Sequence, residues 1–144
     1  MFKRILVPTD GSDLSDKAIA AAVELARTLN ATVVGMTTLE PYSYSNLSEY
    51  RPETLDDYEA RMDQTGVERL AKVTDAAVRA GVPVETVAVK SFSPYEAIID
   101  AAKNAGCDLI VMASHGRRGI KRLLLGSETQ LVLTHSHVPV LVLR

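Results

Sequence analysis

Residues 113 to 127 read Ala-Ser-His-Gly-Arg-Arg-Gly-Ile-Lys-Arg-Leu-Leu-Leu-Gly-Ser. Gly116, Gly119 and Gly126 stand there with four cations, Arg117, Arg118, Lys121 and Arg122, and without a carboxylate. The stretch follows an apolar run, Leu109 to Ala113, and leads into Ser127-Glu-Thr-Gln130, which has the pattern of a helix start. A glycine-rich loop between a strand's carboxyl end and a helix's amino end is where parallel α/β proteins hold phosphates. Backbone N–H groups and the helix dipole both favour an anion at that place. The chemistry predicted is capture of a phosphate-bearing small molecule, foremost a nucleotide.

Other reactive side chains do not assemble into a catalytic set. Asp10 follows the short apolar run Ile5-Leu-Val7, and it can orient a ribose or a metal-bound water, or form a turn. His115 lies inside the glycine loop, where ordering the turn is favoured over proton transfer. His135 and His137 are two apart, a poor spacing for one helical face, so they make no metal site by themselves. Cys107 reads as a small core thiol, with no cation beside it in sequence to lower its pKa. No Gly-x-Ser-x-Gly elbow surrounds Ser114, and no glycine is followed by Lys-Ser or Lys-Thr as in a Walker A loop. With no acid–base pair and no activated nucleophile, the chain reads as a binder more than a catalyst.

The elements that must hold these residues alternate along the chain. Ile5 to Val7 reads as a strand ended by Pro8-Thr-Asp-Gly-Ser12. A helix capped by Ser12 or Asp13 follows, with Ala18, Ile19, Ala22, Val23, Ala26 and Leu29 at helical spacing and Asn30 at its end. Thr32 to Leu39 is β-rich. Residues 41 to 53, with Tyr42, Tyr44 and Tyr50, show no period and read as a long functional loop. A long amphipathic helix from about Leu55 to Ala80 is predicted to bury Met62, Val67, Leu70, Val73, Ala77 and Val78. Val84 to Val89 is a strand. Ser93-Pro94-Tyr95-Glu96 and Ser127 with Gln130 both have capping-box patterns. The last strand is Val138 to Leu143.

Strands alternating with helices imply α/β architecture with a doubly wound, five-stranded parallel sheet and four helices. The first and fourth strands are short and apolar, as central strands are. Ligands of such sheets bind outside the strands' carboxyl ends, which brings Thr9-Asp10-Gly11 and Ala113 to Gly116 to one crevice.

Length and composition are those of one soluble domain: 144 residues, 47% hydrophobic and 24% charged. No apolar run approaches the ~20 residues of a membrane span, and the charged start with its brief apolar run is no signal peptide. A lone Cys107 fits a reducing, cytoplasmic setting. The net charge of −2 argues against nucleic acid as a partner. With the loop's four cations set aside, 12 basic residues remain against 18 acidic. A positive loop on an acidic body suits a small anion.

The chain resembles the universal stress protein family, from Lys3-Arg-Ile-Leu-Val-Pro-Thr-Asp-Gly-Ser12 to Val138-Pro-Val-Leu-Val142. The diagnostic stretch is Gly116, nine residues, then Gly126-Ser127. Nucleotide-binding members carry Gly, two residues, Gly, nine residues, Gly, then Ser or Thr. Here Ala113 stands at the first glycine. A Cβ there either narrows the pocket by a methyl or, where positive φ is needed, costs about 1 kcal/mol. The resemblance implies a Rossmann-like, nucleotide α-hydrolase-like fold and a role in regulating the stress response. It also implies ATP or AMP as ligand, with Mg or Mn alongside, and a homodimer through the C-terminal strand. It implies Thr9 and Asp10 near the adenosine, Thr38 near the base, and Met112 and Ala113 beside the ribose. Gly116, Gly126, Ser127 and Thr129 would hold the phosphates, with Pro8, His115, Arg117 and Glu128 of the same loops completing the site. Slow ATP hydrolysis, or a dimeric interaction module without nucleotide, are the alternatives.

Overall fold

The computed structural model describes residues 1–43, 53–116 and 124–144. Tyr44, Tyr50, Arg117, Arg118, Gly119, Lys121 and Arg122 lie outside the described residues. Strands β1 (Arg4–Pro8), β2 (Thr32–Leu39), β3 (Val84–Lys90), β4 (Leu109–Ala113) and β5 (Val140–Leu143) form one sheet in the order β3-β2-β1-β4-β5. Every pairing is parallel. The crossovers carry helices α1 (Asp13–Leu29), α2 (Leu55–Arg79), α3 (Pro94–Asn104) and α4 (Ser127–His135). This is the doubly wound α/β sheet expected, with β1 and β4 at its centre.

Period-two alternation along the central strands builds two separate cores. Ile5, Val7, Leu109 and Val111 face α1 and α2. Leu6, Ile110 and Met112 face the other way, against Ala97, Ile98 and Ala101 of α3 and Val132 of α4. All five residues of β4 are buried. The chain turns to β2 on one side of β1 and later enters β4 on the other, so the strand order reverses between β1 and β4.

The first helix forms as its sequence predicts. The Ser12 hydroxyl caps it by accepting the Ser15 N–H at 3.2 Å, Asn30 closes it in the left-handed conformation, and Ala18, Ile19, Ala22, Val23 and Ala26 are buried. The second helix keeps most of its expected face: Val73 and Ala77 are buried and Met62 and Leu70 half-buried, while Val67 and Val78 are exposed and Tyr58 and Gly66 are buried in addition. Val73 packs where β2 has no side chain, since a Cβ on Gly35 would stand 2.7 Å from Val73 Cγ1.

Two capping boxes do not form. At Ser93 the hydroxyl makes no cap. The first turn of α3 is satisfied from a distance, since the Tyr95 N–H donates to Glu128 Oε2 at 2.8 Å. At α4 the N-cap is Gly126, and Ser127 is the first helical residue. Gln130 donates to the Leu125 carbonyl at 2.9 Å rather than closing a box with Ser127. The last strand starts at Val140 and not Val138, because the Val138 N–H is taken by the Ser136 hydroxyl and Pro139 has none to donate.

Candidate functional site

The carboxyl ends of β1, β2 and β4 open into a cleft of about 790 Å³. Its first wall is the turn after β1. Thr9 is buried and fully engaged: its N–H donates to the Met36 carbonyl, and its carbonyl accepts the Thr37 hydroxyl at 2.7 Å. Its hydroxyl meets Ser15 Oγ at 3.0 Å and accepts the Gly11 N–H at 3.2 Å. Gly11 can follow because its φ of 81° suits a residue without Cβ. Asp10 forms the turn and also borders the cleft. Oδ1 accepts the Ser12 N–H at 3.0 Å and makes the turn, while Oδ2 faces Gly116 across the cleft.

The second wall runs from β4 into α4. Met112, Ala113, His115, Gly116, Gly126, Ser127, Glu128 and Thr129 all border the cleft. Two backbone bonds shape the loop's ends: Ser114 N–H to the Leu143 carbonyl and Gly126 N–H to the Ser114 carbonyl, both at 2.7 Å. Ala113 is the final residue of β4, and Asn30 alone among described non-glycine residues has positive φ. The strained alternative for Ala113 is therefore excluded, and its Cβ adds only a methyl to the wall. Gly126 has a steric role: a Cβ there would lie 3.0 Å from His115 Cα.

Only part of this wall points outward. The buried Thr129 hydroxyl donates to the Ala113 carbonyl at 2.9 Å, binding α4 to β4. Glu128 caps α3, as described. Ser127 is exposed at the first position of α4, beside N–H groups that no helical carbonyl can reach. His115 Nδ1 lies 3.2 Å from the Ser114 hydroxyl. That serine is 5% exposed, so the pair orders the turn and does not present a nucleophile.

Of the sequence-predicted site residues, Pro8, Thr9, Asp10, Thr38, Met112, Ala113, His115, Gly116, Gly126, Ser127, Glu128 and Thr129 border one cleft. Arg117 lies outside the described residues. The third wall was missed altogether: Tyr58, Arg61, Met62, Thr65 and Arg69 of α2 border the same space. Their spacing of three, four and seven residues was the available signal, masked because polar helix positions read as a solvated face. Arg69 donates to the Thr37 hydroxyl at 3.3 Å, close to the β2 end.

Arg61 belongs to a cluster at the mouth. It grips the Glu53 carboxylate with two bonds, at 2.9 and 3.0 Å, and stands 5.2 Å above the Tyr58 ring. The bond from Arg61 holds the Glu53 carboxyl below its usual range. The Tyr58 hydroxyl donates to the Glu40 carbonyl at 2.5 Å, and its ring meets that of Tyr42 edge-on. Burial and the Glu40 carboxylate raise the Tyr58 phenol pKa. The Tyr42 hydroxyl donates to the Glu53 carbonyl at 2.6 Å, so the chain on either side of residues 44–52 is joined.

Outside the cleft, Cys107 is buried, and desolvation pushes its thiol up to about 11. Arg4 is close enough to pull the other way, a cation not evident from sequence, but burial outweighs it. No group of three or more metal-ligating side chains occurs among the described residues. No described helix is long and apolar enough to cross a membrane.

Comparison with known proteins agrees with this geometry. The family model for the universal stress protein family matches residues 1–144. Universal stress protein YxiE of Bacillus subtilis is 35% identical over all of both chains. Universal stress protein MJ0531 of Methanocaldococcus jannaschii is 32% identical over all of this chain and 83% of its own length. A universal stress protein solved in complex with cAMP is 27% identical, with a TM-score of 0.74 over 99% of this chain and 97% of that one. The chain belongs to the universal stress protein family.

Proposed function

We propose that this protein binds an adenine nucleotide, ATP or AMP, in the cleft above β1 and β4 and serves as a regulatory component of a stress response. The observation that carries this reading is the meeting of three things at the point where strand order reverses. They are the Asp10 turn, the paired glycines Gly116 and Gly126, and the amino end of α4. Glycines keep Cβ atoms away from an incoming oxyanion, and the first turn of α4 offers N–H donors and a positive dipole end. The relative in complex with cAMP supports an adenine nucleotide as the ligand class. Mg or Mn would come with the phosphates. Such ions keep several waters and need one or two carboxylates, and Asp10, whose carboxylate borders the cleft, is the residue that would hold them.

Calorimetric titration of refolded, nucleotide-free protein with ATP and Mg, and with AMP, tests this. Micromolar or tighter binding is expected. Ser127→Ala should weaken ATP about tenfold, in keeping with one lost charge-assisted hydrogen bond, while leaving thermal unfolding unchanged. No heat with either nucleotide would overturn the reading.

The regulatory unit is a homodimer paired through β5. That strand lies at one edge of the sheet, with Leu141 44% exposed, and an uncovered edge can pair with its own copy across a two-fold axis.

A further inference from the structure

One aromatic side chain that borders the cleft is left largely in water. Phe92, in the turn between β3 and α3, borders the cleft and is 64% exposed, unlike the neighbouring apolar liners Leu39, Ile98 and Met112, which are buried. An aromatic ring left in water gives up the burial that ordinarily justifies it. Yet the backbone that presents it is firmly held. The Ser91 N–H donates to the Leu39 carbonyl at 3.0 Å, and the Ser91 hydroxyl accepts the Ser93 N–H at 3.0 Å. The Ser91 hydroxyl also reaches the Ser93 carbonyl at 3.3 Å. Phe92 is thus set on a pinned two-serine arch between β2 and the start of α3.

The cleft has a mixed lining. Asp10 and Ser127 border it beside Gly116 and Gly126, and the apolar side chains Leu39, Met62, Ile98, Met112 and Phe92 border the same space. A ligand that satisfies both kinds of lining carries an anion and a flat apolar surface.

Resting on the nucleotide reading, we propose that Phe92 is a binding and specificity-determining residue whose ring stacks on the base of the bound nucleotide. Its exposed face supplies a stacking platform for a purine, which presents more π surface than a pyrimidine. The phosphate end anchors, and Phe92 selects.

The chain contains no tryptophan, so Phe92→Trp places a single indole reporter at the proposed platform. Wild type, Phe92→Ala and Phe92→Trp are titrated with MgATP and with inorganic tripolyphosphate. Phe92→Ala should weaken ATP about tenfold, the lower part of the range for one base stacked on an aromatic ring, and leave tripolyphosphate binding and thermal unfolding unchanged. Phe92→Trp should keep ATP affinity, with its emission changing on ATP and not on tripolyphosphate. Wild-type ATP affinity in Phe92→Ala, or an indole blind to ATP, overturns the stacking role while leaving the nucleotide site intact. Failure of the wild-type protein to bind ATP overturns the nucleotide reading and the stacking role together.

Discussion

Gly116 and Asp10 face each other so closely that a Cβ on Gly116 would stand 2.5 Å from Asp10 Oδ2. Gly116 does not have positive φ, so a side chain there would be opposed by the tip of the Asp10 carboxylate and not by its own backbone. The loop after β4 is pressed against the turn after β1, which joins the two halves of the crevice at one contact.

That contact predicts a coupled pair. Gly116→Ala should destabilise the fold by about 1 kcal/mol, the cost of pushing the Asp10 carboxylate off its bond from the Ser12 N–H, and weaken nucleotide binding. In an Asp10→Ala background the same substitution should cost measurably less, since the opposing oxygen is gone. Urea unfolding of the four proteins gives the coupling, and equal costs in both backgrounds would show that Asp10 simply swings aside.

Alkaline pH offers a second test. The buried thiol of Cys107 has its pKa raised to about 11, above its unfolded value. Between pH 9 and 11 the unfolded thiol loses its proton while the folded one keeps it. Stability from this group is therefore present below the unfolded pKa and falls as pH rises, by up to about 1.4 kcal/mol per unit. Cys107→Ala should remove that part of the slope. Denaturant unfolding from pH 8 to 10.5, wild type against variant, reads the difference, and parallel curves would refute it.

The proposed dimer makes a prediction at β5. Wild-type protein at micromolar concentration should sediment with twice the mass of its chain, and Leu141→Lys, a charge on an exposed edge residue, should sediment as a monomer with its helix content intact. A monomeric wild type would refute the pairing.

How much could be read from the sequence depended on how local each cause was. The β1 turn, the face and both caps of α1, and the buried run of β4 rest on neighbours in the chain, and all were legible. The N-cap of α4 was not, because Gly126 takes it, with its N–H bonded to Ser114, 12 residues earlier. The cap of α3 comes from Glu128, 33 residues away from Tyr95, beyond any capping-box pattern. The close seat of α2 on β2 rests on an atom that is absent, the Cβ of Gly35, and Arg61 and Arg69 border the cleft from that same helix. Side chains that look solvated along one helix became a wall once a second element faced them.

The bond from the Tyr42 hydroxyl to the Glu53 carbonyl has a consequence for how such a protein can diversify. It joins positions 11 residues apart, and the Arg61–Glu53 and Tyr42–Tyr58 contacts reinforce the same junction. β2 and α2 are also packed along their length, Val73 against Gly35 and Leu39 beside Gly66, so their placement does not rest on the chain spanning the knot. Because closing a longer span costs only about 0.6 kcal/mol per doubling, residues could be inserted or removed between Tyr42 and Glu53 with the cleft's walls kept in place. The knot makes that span an interchangeable part joined to a constant site.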